Sequence, residues 1–417
     1  MQQYRELIQE LIDKYDRQKT ITADRTGVGT VKIVGRTQRF DLQKGFPLLT
    51  LKHTPFKSIV AELLWFLSGS VDNAALNELG CKIWDPWAVT AKDLVEYYCS
   101  DRYRAKARPD GELLERYSSI PKDTTDWDAL LTQLIEIGYA PPNARFHLNG
   151  LGPIYSQSWT EMKDERVFAD NLSEPTQQVY MDDGFSIASA VTAEGLPITI
   201  VNRRINQIAD AITLLKTRPT SRRIVVNAWD ARYLPDESIP PQWNVIEGRA
   251  CLAFCHNTFQ FITEELSLTE RIGLAVDDDE DGFPYLNAST GVWEQPTTHE
   301  ECDACGTPRY RLNCIVNIRS NDMALGNPFN IASYALLTMM VGQVVNMIPA
   351  ELIINIGDCH LYANQIESMR ELLVREDKPL PMVTLNPGVL NIFKFTMEDF
   401  TLTGYHPHDK IKMPVAV

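Results

Sequence analysis

The 417-residue chain is short of the residues that would make it several kinds of protein. Eight cysteines are too few for a disulfide scaffold at this length, so reduced thiols in a cytoplasmic setting are expected. Basic residues are outnumbered, with 40 Lys and Arg against 55 Asp and Glu and a net charge of −15. A surface that tracks nucleic acid needs the opposite balance, so no direct nucleic-acid binding is expected. A small basic pocket for one phosphate is still compatible with that count. The opening MQQYRELIQELIDKYDRQ lacks the basic-then-apolar layout of a signal peptide, and none is expected. There is no internal repeat. Only residues 331–348 invite reading as a membrane span. They carry no charge, but Ser333, Tyr334, Thr338, Gln343 and Asn346 interrupt them and no basic cluster flanks them. A buried core helix is expected there, and no membrane association.

What is present is ordinary for a globular protein: 44% apolar and 23% charged residues, which excludes a disordered chain. Length alone suggests two or three domains. Tyr4, Leu7, Ile8, Leu11, Ile12 and Tyr15 have the spacing of an amphipathic helix over 2–17. Residues 31–40 read as a strand, and 58–67 as a helix stopped by Gly69. Residues 224–229, 250–261, 312–318 and 353–356 read as further strands, which makes the core α/β or α+β. The segments 91–147, 163–199, 236–248 and 268–310 differ in character, and 277–282 is the acidic run DDDEDG. They are read as insertions decorating one catalytic domain over 1–417.

Several residues could carry chemistry. Cys255-His256 closes the apolar run CLAFCH. A thiolate is a strong nucleophile and a neighbouring base or cation lowers its pKa, although an inert core cysteine is the commoner case. Arg25 lies in the turn DRTGVGT, Arg222-Arg223 follow Ser221, and Arg319-Ser320 close a strand. Any one of these arginines suits a surface ion pair. Together, at strand ends of an acidic protein, they suggest an anion pocket, because guanidinium forks onto phosphate. Asp358, His360 and Tyr362 share one strand face in GDCHLY and could hold sugar hydroxyls, or be satisfied loop polars. Asn330 offers a donor and an acceptor that read one base edge, or else caps a helix. His299, Cys302 and Cys305 in HEECDAC form half a zinc site at best, so no metal is expected.

The strings DRTGVGT, GFPLLTLK, ELLWFLSG, IWDPWA, LGPIYSQSW, SRRIVV, CH before FQF, RSND, GNPFNIASYALL, GDCHLY and HPHDKIKMPVAV occur in that order. They resemble the thymidylate synthase family across roughly 1–90, 148–162, 200–235, 249–267 and 311–417. The resemblance implies a mixed β-sheet packed by helices. It also implies an enzyme that transfers one carbon from 5,10-methylenetetrahydrofolate to C5 of dUMP. Cys255 matches the nucleophile that adds at C6, with His256 beside it. Arg25, Arg319 and Ser320 match phosphate ligands, joined by Arg222 and Arg223 from the partner in a homodimer. His360 and Tyr362 match the groups that hold the sugar, and Asn330 the residue that selects uracil over cytosine. Glu62, Tyr155 and Asp322 match residues that organise water and proton transfer. Ile83, Trp84, Trp87, Asp322, Gly326, Phe329 and Val417 match the folate pocket.

Two departures stand out: Phe254 replaces the family's usual proline before the nucleophile, and the insertions are large. Phage relatives that make 5-hydroxymethyl-dUMP are similar and often enlarged. The two reactions diverge only in whether water or folate hydride attacks the methylene on C5. The departures tip the expectation to a phage-type dUMP hydroxymethyltransferase serving DNA modification in the host cytoplasm. Thymidylate synthesis, which Trp84 and the VAV terminus suit, is the alternative. A non-catalytic binding protein would show erosion where Cys255, Glu62, Tyr155 and the four matched arginines stand. A Cys-His hydrolase leaves those arginines unexplained.

Overall fold

The computed structural model describes residues 1–23, 26–121, 125–276, 285–286 and 293–414. Five strands form the main sheet: β1 (Thr30–Asp41), β2 (Val225–Asn227), β3 (His256–Glu265), β4 (Tyr310–Asp322) and β5 (Ile348–Tyr362), in the order β1-β5-β4-β3-β2. β5 runs parallel to β4 and the other pairs are antiparallel, which is the mixed sheet that was expected. Alternation sets its two faces. Leu312, Cys314, Val316 and Ile318 of β4 and Leu352, Ile354 and Ile356 of β5 point into the core. Their neighbours form a polar ladder on the opposite face. Thr37 Oγ1 donates to Asn355 Oδ1 (2.9 Å), Asn355 Nδ2 to Asn317 Oδ1 (3.1 Å), and Asn317 Nδ2 to Thr258 Oγ1 (3.1 Å).

Helices cover the apolar side. α1 (Gln2–Gln18) lays its buried stripe, Tyr4 to Ile12, against β1. α2 (Phe56–Ser68) ends where Gly69 adopts φ 77°, a turn that favours glycine. Further on come α3 (Tyr155–Thr160), α4 (Gln207–Thr217) and α5 (Gly326–Val345). α5 is apolar all round and packs on β4 and β5, so the uncharged stretch is a core helix, largely buried. Its C-cap Asn346 is left-handed (φ 54°), and β5 starts two residues later.

The strand expected over 250–261 begins only at His256 and continues to Glu265. Residues 250–255 bond to other loops instead: Ala250 N–H donates to Tyr233 O and Cys251 N–H to Leu151 O. Cys255 therefore stands at the entrance of β3, outside the ladder. A bulge at Asn257 follows.

The segment 91–147, expected as the first insertion, is helical: Ala91–Tyr98, Asp101–Ala107, Gly111–Ser118 and Trp127–Glu136. Its Tyr97, Tyr98, Tyr117 and Tyr139 join the main core. Arg102 pairs with Glu247 (2.6 Å) and so ties this insertion to the helix Pro241–Ile246 of the third. The second folds as strands Met162–Phe168, Ser186–Val191 and Pro197–Ile205, the last of them central. The fourth contributes helices Leu268–Val276 and His299–Ala304. The run 277–282 lies outside the described residues.

Candidate active site

β3, β4 and β5 end side by side, and their register assembles the site. Arg319 N–H donates to Cys255 O (2.8 Å), while Asp358 pairs with Ser320 and His360 with Asp322 across β5 and β4. Cys255 is half-buried. Its N–H donates to Tyr155 Oη (2.7 Å) at the start of α3. Arg319 Nε donates to Phe254 O (3.0 Å) and Nη2 to Ala253 O (3.3 Å), which brings Nη2 to 4.0 Å from Cys255 Sγ. Burial pushes the thiol pKa up, and the Arg319 guanidinium and Tyr155 pull it back.

The cation beside the thiol is thus Arg319, not the neighbouring histidine. His256 Nδ1 lies 2.7 Å from Tyr334 Oη on α5, and its ring stacks on Tyr155 at 3.7 Å with 5° between planes. Burial drops His256 to about 3, so the ring is neutral and serves to hold Tyr155. Phe254 is 1% exposed and packs edge-on against Tyr155 (5.7 Å). It fills space behind Cys255.

Glu62 sits on α2 and accepts a hydrogen bond from Trp84 Nε1 (2.7 Å). Burial raises its carboxyl to about 7, and the indole donor offsets only part of that. Trp84 meets Trp87 at 5.8 Å and Tyr155 at 6.4 Å, both edge-to-face. Trp87 Nε1 is buried without a hydrogen-bond partner among the described residues. Ile83, Trp87 and Phe329 are half-buried against the core, and Gly326 opens α5. A flat heteroaromatic with ring acceptors fits this aromatic wall and its unspent donor.

Asp322 is held from both sides: Oδ1 accepts from Ala324 N–H (2.8 Å) and Leu325 N–H (3.2 Å), Oδ2 from Gln365 Nε2 (3.1 Å). His360 Nδ1 lies 3.0 Å from Asp358 Oδ1 and its ring meets Tyr362 at 5.3 Å, the shared strand face that the sequence indicated. Asn330 lies inside α5, whose N-cap is Leu325, so it is no helix cap and keeps its amide for other partners.

Other candidates fall elsewhere. Arg222 and Arg223 are exposed just before β2, where Val225 pairs with Gln260. That is five residues along β3 from Cys255, about 17 Å, so one chain does not bring them to its own thiol. Arg25 and Val417 lie outside the described residues. The zinc candidate does not fit a metal: Arg271 Nη1 stands 3.1 Å from His299 Nδ1, putting a cation where an ion would bind, and Cys302 is fully buried. Sequence reasoning missed Tyr334, Lys52 and Gln365. Tyr334 was visible as a hydroxyl in an apolar helix. Lys52, whose Nζ donates to Ala324 O (2.6 Å), is drawn down to about 8 by burial.

The site thus joins a thiol, a guanidinium, a near-neutral carboxyl and a tryptophan wall at the ends of three strands. A family model described as thymidylate synthase matches residues 2–417. The chain belongs to the thymidylate synthase family, whose members transfer one carbon from methylenetetrahydrofolate to dUMP.

Proposed function

We propose that this enzyme methylates dUMP to dTMP in the cytoplasm as a homodimer, with hydride rather than water quenching the C5 methylene. The observation that carries the choice is the placement of Phe254 and Trp84. Phe254, the departure that favoured water attack, is buried against Tyr155 and so exposes no new surface to a substrate at Cys255. Trp84 is 8% exposed and braced by Glu62, Trp87 and Tyr155, an apolar wall able to keep water from a reactive carbon.

Cys255 adds as thiolate to C6, leaving the electron pair on C5 and O4 as an enolate. Arg319 and Ser320, with Arg25, hold the phosphate, and Arg222 and Arg223 of the partner subunit complete the set. Their position at the far end of β3 supports a shared site across two copies. The bare polar face of the sheet is the surface available for that pairing. His360 and Tyr362 hold the sugar, and Asn330 reads the uracil edge. Methylenetetrahydrofolate supplies the one-carbon unit and then hydride. Ile83, Trp84, Trp87, Asp322, Gly326 and Phe329 would hold it, with Val417 carried over from the resemblance. Glu62, near 7, holds or releases a proton at neutral pH.

The second reading, 5-hydroxymethyl-dUMP formation, draws on that same Glu62, a carboxylate able to activate water once ionised. Mass analysis of nucleotide and folate after incubation with dUMP and methylenetetrahydrofolate separates the two. Addition of CH2 with dihydrofolate supports methylation. Addition of CH2O with tetrahydrofolate supports the second reading, and no turnover refutes both.

A further inference from the structure

Gln365 is 0% exposed and lies in the short 3-10 turn that follows β5 directly. Its amide has one acceptor and two donor hydrogens, and all are engaged. Oε1 accepts from Tyr362 N–H (3.1 Å). Nε2 donates to Asp322 Oδ2 (3.1 Å) and to Pro414 O in the C-terminal segment (3.3 Å). One buried amide therefore joins the strand that carries His360 and Tyr362, the Asp322 carboxylate, and the tail.

The other bonds around this junction make it directional. Asp322 Oδ1 is fixed to the entry of α5, so the carboxylate has one remaining oxygen, and Gln365 holds it. The tail has two further ties nearby: Lys52 Nζ reaches Met413 Sδ (3.4 Å) and Ser368 Oγ donates to Lys412 O (3.3 Å). When residues 412–414 shift, Nε2 must give up one acceptor or follow it. Either choice changes what Asp322 feels, because a buried amide left short of a partner is costly.

We propose that Gln365 is a positioning residue that couples the seating of residues 412–414 to the orientation of Asp322, and through Asp322 to folate binding. The folate half of this inference rests on the function proposed above; the link between tail and carboxylate does not.

Gln365→Met keeps length and removes all three bonds. Two measurements on the full-length protein test it. Without ligand, trypsin should cut after Lys410 or Lys412 several-fold faster than in the wild type, read by intact mass. Tetrahydrofolate affinity in the presence of dUMP should fall by about tenfold to a hundredfold, while dUMP affinity stays within about threefold. Should the apolar variant fail to fold, Gln365→Asn is one methylene too short to span both acceptors and should give the same pattern. Unchanged trypsin cutting overturns the link to the tail. Faster cutting with unchanged folate affinity, or an equal loss of dUMP affinity, overturns the positioning role. A wild-type enzyme that binds neither dUMP nor folate would sink the proposed function, and the trypsin result would then decide the junction alone.

Discussion

The entrance of β3 and the segment 268–310 each hold an arginine beside a histidine and a cysteine, and use them in opposite ways. Arg271 is 0% exposed and spends its donors on the protein. Nε donates to Pro308 O (3.1 Å), Nη1 to His299 O (2.9 Å), and Nη2 to Thr307 O (2.9 Å) and Asp303 Oδ1 (2.5 Å). Arg319 is exposed; among the described residues its guanidinium bonds only to the Phe254 and Ala253 carbonyls and the Cys255 thiol, and faces no carboxylate. A saturated guanidinium staples a loop to its neighbours. One aimed by carbonyls but lacking an anion keeps its charge for a ligand. His299 and Cys302, at best half of a zinc site by sequence, sit against a saturated arginine, whereas Cys255 sits beside one with charge to spare.

Breaking each region should give opposite results. The largest effect is expected from Cys255→Ala, which should cut turnover by at least about 10⁴-fold with nucleotide affinity largely kept. Residual activity near wild type would overturn the nucleophile assignment. Arg271→Leu should instead leave turnover within a few-fold. It should destabilise helices Leu268–Val276 and His299–Ala304 by about 1–3 kcal/mol, read by hydrogen exchange, because the Pro308, His299 and Thr307 carbonyls lose their donor while Asp303 stays open to water. Arg319→Leu should weaken dUMP binding about 10- to 100-fold. Without that positive charge the Cys255 pKa rises further, so thiol alkylation should move to higher pH in the variant; an unshifted profile would remove Arg319 from the thiol's surroundings.

The smallest effect concerns Glu62, whose folded pKa lies near 7 against an ordinary 4.5. A raised carboxyl pKa means that its stability contribution is intact below the ordinary value and is lost as pH climbs towards 7. Glu62→Gln should therefore stabilise the fold at pH 8, by about 1 kcal/mol after solvent screening, and do almost nothing at pH 4. Equal gains at both values would mean that Glu62 titrates normally.

A good part of the fold is legible in the chain itself. The 3.6 spacing of α1, the glycine stop of α2 and the uncharged α5 follow from local patterns, which carry helix and burial information directly. The strand over 250–261 failed at its start, since nothing local tells an apolar strand from an apolar loop bonded to Leu151 and Tyr233. His256 was expected to help its neighbour. Adjacent residues on an extended chain point apart, and its ring went to Tyr334 instead. Gln365 carried no signal, because its meaning lies in Tyr362, Asp322 and Pro414, and the last two lie 43 and 49 residues away.

Residue order alone marks which groups could do chemistry: the ordered motifs, the thiol, the arginines and the tryptophans. It also sets the net acidic charge. Which of those groups keep a free valence follows from the packing. Register along β3, β4 and β5 brought Arg319 to Cys255 and left Arg222 and Arg223 at the other end of the sheet. Burial made His256 neutral and Glu62 poised. Those outcomes depend on partners far apart in the chain and on how much water each group retains, and neither quantity is written in residue order.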